Sequence, residues 1–164
     1  PSTCDYGDLL WGAKDSSNRC MRCMHSVAHL CFPNYTEACL LTGAEYSEKG
    51  ISKSEAYELV NQLREIGSLS VLITSCIVDG QHAVVGFNHE TDEYFVLPYD
   101  EIPVQFPGTG DIFSSIIEGR LTDGDNLQHA TRVAMDTLRN WIDINKDNAD
   151  KNRGIPIERH LADL

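Results

Sequence analysis

Apolar residues recur along this chain at two spacings, and each change of spacing marks a predicted element. Ala56, Leu59, Val60 and Leu63 repeat at helical intervals, which predicts a helix through Arg64 with one apolar face. Ser52 followed by Glu55 has the spacing of a capping box at its start, and Gly67 ends it. A shorter helix is predicted from Thr36 to Thr42, with Gly43 as its stop. Just before it, Cys31-Phe32-Pro33-Asn34 reads as a strand-to-loop transition, because proline forces the preceding residue into extension. Ser70 to Ser75 reads as a buried strand that delivers two hydroxyls at its end. Two more strands, Gln81 to Asn88 and Glu93 to Pro98, flank a turn at Asn88 to Asp92. Beyond Pro103 the spacing is helical: an apolar helix from Ile112 to Arg120, a turn at Asp123-Gly124-Asp125-Asn126, then an amphipathic helix carried by Leu127, Ala130, Ala134, Leu138 and Trp141. The tail from Asp143 onward is polar and is expected to wrap the surface. This order of elements predicts a layered α/β fold, and residues 1–164 read as a single domain without repeat or linker.

Composition narrows the function classes. An apolar content of 41% and a charged content of 23% over 164 residues fit one ordinary globular domain with a real core. The longest apolar runs, such as Ala83 to Phe87, fall far short of the roughly 20 residues that span a bilayer. With no signal-peptide pattern at the start, the expectation is a cytoplasmic protein without a membrane partner. A net charge of −12 argues against nucleic acid as a partner, since phosphate backbones demand basic surface. One bound nucleotide is still allowed, because backbone N–H groups at a helix start can hold phosphate whatever the global charge.

The cysteines Cys4, Cys20, Cys23, Cys31, Cys39 and Cys76 read as reduced thiols in a chain large enough not to need disulfides. Cys20, Cys23, His25, His29 and Cys31 have zinc-like residue types, but metal sites place a longer excursion between ligand pairs. Met21, Met24, Val27 and Ala28 fit an amphipathic helix over the same stretch, and that reading is the stronger.

The densest chemical signal is Phe106-Pro107-Gly108-Thr109-Gly110-Asp111. Glycines at 108 and 110 can turn successive N–H groups toward one point, and the helix that follows adds its positive end, so an anion is favoured there. Asp111 is then either a helix cap or a base beside a bound phosphate, and spacing alone favours the cap. The loop is not a Walker loop, because no Gly-Lys-Ser/Thr follows.

Gly108-Thr109-Gly110-Asp111, continued by Ile112-Phe113-Ser114-Ser115, resembles the anion-hole signature of the pyridoxal and pyridoxamine kinases, the vitamin B6 kinases of the ribokinase-like superfamily. Asn34 to Glu37 with Leu40-Leu41-Thr42-Gly43 resembles their Asn-x-x-Glu segment, and Ile73-Thr74-Ser75 their phosphate-contacting strand end. Asp123-Gly124, Leu127 to Ala134 and the tail Asn152 to Glu158 are similar to later parts of the same family. The motifs run in family order from about residue 30 to the end. The resemblance implies a layered α/β/α sheet of which this chain holds the C-terminal, nucleotide-binding portion.

The resemblance also implies roles. Asp111 would be the catalytic base, and Gly108, Thr109 and Gly110 would line the anion hole. Asn34 and Glu37 would organise magnesium and its waters, with Asp5 a further acidic residue near the metal. Thr74 and Ser75 would contact phosphates, and Ile102, Phe106 and Ile142 are candidates for the adenine pocket, although core packing explains them equally well. Implied cofactors are ATP and Mg2+, with a monovalent cation such as K+ as a further candidate. The implied substrate is pyridoxal, pyridoxamine or pyridoxine, and the implied assembly a homodimer. Three positions depart from the pattern: Cys4 stands where glycine is usual, Leu10 where tyrosine is usual, and Phe32 replaces a small polar residue. Hydroxymethylpyrimidine kinases are the nearest rival, but they usually carry cysteine in place of Asp111. Sugar kinases of the superfamily fit the Asn34 to Gly43 segment less well. A truncated, non-catalytic nucleotide-binding remnant is the alternative from outside enzymes. Half of a doubly wound sheet would expose an apolar edge and face, so the segment is expected to need further sequence or a partner chain for stability.

Overall fold

The computed structural model describes residues 28–147 and 154–160. The chain divides between Asp100 and Glu101 into two compact units.

The first unit is built on strands β1 (Leu30–Cys31), β2 (Ser70–Val78), β3 (Gln81–Asn88) and β4 (Glu93–Pro98), paired in that order. Helices α1 (Tyr35–Thr42) and α2 (Lys53–Ile66) form the crossover from β1 to β2, which allows that pair to run parallel. The other pairs are antiparallel because short turns join them. Asp79 and Gly80 both take positive φ, 49° and 83°, the backbone that matches a two-residue hairpin to the twist of its strands. Capping boxes start both helices, Asn34 with Glu37 and Ser52 with Glu55, and the left-handed Gly43 closes α1.

Burial in this unit follows the strand alternation. Val71, Ile73, Cys76, Val85 and Phe87 face one way and pack with Tyr35, Leu41, Leu59, Val60 and Leu63 of the helices. On the opposite face Leu72, Val84, Phe95 and Leu97 are buried as well. Gly86 lies among them, and a Cβ there would overlap the Phe95 ring, so a larger residue would displace that ring. One expectation needs correction. The strand through Thr74 and Ser75 does not end there but continues to Val78, through a bulge between Ile73 and Cys76. Ser75 takes φ 58° at the bulge, so the two hydroxyls sit at a kink rather than at a strand end.

The second unit holds α3 (Thr109–Thr122), α4 (Leu127–Asn145) and a short 3-10 turn at Ile157–Arg159. Ile112, Phe113, Ile116 and Ile117 of α3 are buried, as are Leu127, Ala130, Ala134 and Trp141 of α4. The polar-tail expectation fails in part: α4 continues to Asn145, and Ile155 and His160 are buried. Among the described residues no helix is long and apolar enough to cross a membrane.

Asp125 ties the turn between α3 and α4. Its carboxylate accepts from Arg120 Nη2 at 2.8 Å and Nε at 3.1 Å and from Asn126 N at 3.0 Å, and it meets His129 Nδ1 at 2.7 Å. The His129 contact first, and then Arg120 and the Asn126 N–H, hold the carboxyl below the usual carboxylate range. A depressed folded pKa contributes stability that is present above the unfolded pKa and is lost as pH falls through the folded one. Asp125→Asn is therefore expected to lower the thermal midpoint at neutral pH, with the gap closing in strong acid. A gap that stayed constant down to pH 2 would contradict that assignment.

Candidate functional site

The glycine-rich stretch places its functional groups differently from the sequence expectation. Helix α3 begins at Thr109 rather than Ile112, with Gly108 as its cap at φ 82°. Only Gly108 uses the left-handed freedom of glycine; Gly110 lies inside the first helical turn. Gly108 has no side chain, and the cap makes no side-chain hydrogen bond. The N–H groups of Thr109, Gly110 and Asp111 therefore meet no acceptor among the described residues, as first-turn groups of an uncapped helix must. Three such donors share the first turn with the positive end of the helix dipole, an arrangement that favours an anion.

Asp111 is not the helix cap, contrary to the reading that spacing favoured. It stands third in the helix, exposed, and its carboxylate has no hydrogen-bond partner among the described residues. Its backbone carbonyl accepts from the Ser114 hydroxyl at 3.1 Å and the Ser115 hydroxyl at 2.7 Å. Beside it opens a concavity of about 440 Å³, lined by Gly108, Asp111 and Ser115 and by the apolar Ile112, Ile116, Trp141 and Ile155. Sequence reasoning missed the contribution of Trp141 and of the tail at Gly154 and Ile155. Trp141 reads simply as one more apolar position of α4, and the tail is too short to show a periodicity.

The adenine-pocket candidates separate. Phe106 is buried, and its carbonyl accepts from Thr109 Oγ1 at 3.3 Å. Ile102 lines a second concavity, of about 370 Å³, with Asp136, Arg139, Asn140 and Asp143. Ile142 is half-buried and lines neither concavity.

In the first unit, Asn34, Glu37, Thr74 and Ser75 gather at one corner. Asn34 and Thr74 form an isolated parallel bridge, and Thr74 N donates to Pro33 O at 3.0 Å. Asn34 Oδ1 accepts from Glu37 N, and Glu37 Oε2 accepts from Asn34 N, each at 2.9 Å. The capping box thus fixes the Glu37 carboxylate through one oxygen and leaves the other without a hydrogen-bond partner among the described residues. Asp5, Cys4 and Leu10 lie outside the described residues, as do Cys20, Met21, Cys23, Met24, His25 and Val27 of the zinc and helix readings. Cys31, from the same cluster, sits buried in β1, where desolvation pushes its thiol up to about 11 against a smaller opposing hydrogen bond from Ser68. Burial likewise pushes the Cys76 thiol up to about 12.

Comparison with known proteins adds an independent line. The family model for phosphomethylpyrimidine kinase matches residues 4–156. A pyridoxal kinase of Arabidopsis thaliana is 30% identical over 119 residues, which cover 69% of this chain and 37% of that protein. Among solved structures, a candidate phosphomethylpyrimidine kinase of Bacteroides thetaiotaomicron, crystallised with pyridoxal, is 29% identical with a TM-score of 0.79. The match covers 90% of this chain and 53% of that one. The pyridoxal kinase of Entamoeba histolytica is 25% identical with a TM-score of 0.73, covering 91% of this chain and 50% of that one. The chain thus spans about half the length of these solved structures and 37% of the Arabidopsis protein.

Proposed function

Because the chain belongs to the phosphomethylpyrimidine kinase family, of the ribokinase-like kinases, we propose that it transfers the γ-phosphoryl group of Mg-ATP to the 5′-hydroxymethyl group of a B6 vitamer. The observation that carries this reading is the start of α3, where donors without acceptors and a carboxylate without a hydrogen-bond partner among the described residues share one helical turn beside a concavity.

The chemistry follows from those groups. Asp111 takes the proton from the acceptor hydroxyl as the oxygen becomes nucleophilic, a role that typically supplies ~10²–10⁴-fold. The N–H groups of Thr109, Gly110 and Asp111 receive the charge that develops on the transferring phosphoryl oxygens. These donors are held in place by the helix and need no reorganisation, which suits a reaction governed by positioning and charge. When bound, Mg2+ screens the negative charge of the nucleotide phosphates. Glu37 is the described residue that would hold the ion or its waters, since its free carboxylate oxygen is the hard donor magnesium prefers. Asn34, Thr74 and Ser75 keep the roles the resemblance implies, as proposals, and so does assembly into a homodimer.

Two observations bear on the acceptor. The similar Bacteroides thetaiotaomicron structure contains pyridoxal, and Asp111 stands where, by the resemblance, hydroxymethylpyrimidine kinases usually carry cysteine. The description of the family itself supports hydroxymethylpyrimidine as the second reading. Steady-state rates with pyridoxal, pyridoxamine, pyridoxine, hydroxymethylpyrimidine and ribose at saturating Mg-ATP separate the readings. The highest kcat/KM is expected for a B6 vitamer. A higher value for hydroxymethylpyrimidine or ribose would overturn the assignment of the acceptor.

A further inference from the structure

The tail beyond α4 is anchored by a buried polar and aromatic contact. The rings of His160 and Trp141 stack with centroids 5.1 Å apart and planes 25° from parallel. Asn145 Nδ2 lies 2.8 Å from the Trp141 carbonyl and 3.1 Å from His160 Nε2. Since an amide nitrogen only donates, His160 Nε2 accepts this bond. Trp141, Asn145 and His160 are all buried, so this anchor is shielded from competing water.

The same tail reaches the start of α3. Gly154 takes φ 75°, and a Cβ added to it would lie 3.0 Å from the Pro107 carbonyl oxygen. The backbone at 154 is therefore packed against the residue that precedes the Gly108 cap. Gly154 and Ile155 also line the concavity shared by Gly108 and Asp111, and Ile155 is buried. Gly108 has no side chain with which to brace its own conformation, and its carbonyl accepts the first hydrogen bond of α3, from Ile112 N at 3.1 Å.

We propose that His160 is a positioning residue: by locking the tail onto Trp141 and Asn145 it holds Gly154 and Ile155 against Pro107, and so fixes the Gly108 cap from which the α3 donors and Asp111 are aimed. The proposal rests on the kinase reading of that helix start. His160 is not among the residues that line the concavity, so the proposed effect runs through the tail.

Two measurements on the purified protein test it. The first is independent of turnover: amide hydrogen exchange at Ile112, which reports the hydrogen bond to the cap. His160→Ala should speed exchange at Ile112 while leaving Ala134 in mid-α4 protected, and Gly154→Ala should do the same. The second is the split between kcat and KM. A misplacement of about 1 Å can cost on the order of 10²-fold, so kcat should fall about 10- to 100-fold while KM for ATP stays within about threefold. His160→Phe keeps a ring against Trp141 without the acceptor and should fall between wild type and His160→Ala in both measurements. Unchanged exchange at Ile112 in folded His160→Ala and His160→Phe would overturn the proposal, and so would unchanged kcat alongside altered exchange. If the wild-type protein turns over no acceptor, the kinase reading fails, and the exchange comparison still decides whether the tail holds the cap.

Discussion

Asp111→Asn is expected to lower kcat by about 10²–10⁴-fold, the usual contribution of a positioned general base, while KM for ATP changes little. Asparagine keeps the size of the side chain but has no lone pair basic enough to accept the hydroxyl proton. The fold should survive, because the carboxylate makes no hydrogen bond to the described protein and lies on the exposed side of α3. A small loss of stability is expected, since an acidic group in the first helical turn is worth about 0.3–1 kcal/mol against the dipole. Rates measured with pyridoxal beside a thermal melt separate the two effects. An Asn variant that kept more than about a tenth of wild-type kcat would remove Asp111 from the base role.

Phe87→Ala should be the most damaging substitution to the first unit, costing about 3–5 kcal/mol. Phe87 is fully buried on β3, with its ring 4.7 Å from Tyr94 and the Arg64 guanidinium carbon 3.6 Å above its centre. Truncation removes the transfer energy of the ring, leaves a cavity between sheet and α2, and strips Arg64 of its cation–π contact. Since domains hold only about 5–15 kcal/mol in total, much of the population should unfold near physiological temperature. Urea titration of the variant against wild type measures the loss. A shift corresponding to less than about 1 kcal/mol would show that the site relaxes to fill the space. Because the effect acts through folding, the folded fraction should retain its specific activity.

The helices of the first unit are legible in the sequence because several local signals agree. In α2 the Ser52–Glu55 capping box, the Ala56, Leu59, Val60, Leu63 stripe and Gly67 all point to the same element. The β3–β4 hairpin is legible for the same reason, its two runs bracketing a polar turn. Where signals conflict, the sequence misleads. Two glycines in Gly108-Thr109-Gly110-Asp111 argue for a loop, since glycine costs a helix interior about 1 kcal/mol. Gly110 nevertheless belongs to the first turn of α3, and only Gly108 needs the conformation that glycine supplies. Thr74-Ser75 looks like the end of a strand because its polar pair breaks the apolar run, but a bulge carries β2 onward to Val78. For the candidate site, the donors and Asp111 are visible as a motif. The wall beside them is not, because it draws on Ile155, buried in a polar tail whose His160 meets Trp141 of α4 only through the fold.

The most direct measurement of the kinase account follows phosphorus itself. ³¹P NMR of the protein with Mg-ATP and pyridoxal should show a new phosphomonoester resonance, coupled to a methylene group and growing in step with ADP. If folded protein yields only ADP and inorganic phosphate, or leaves ATP intact with every alcohol offered, the start of α3 is not a phosphoryl-transfer site.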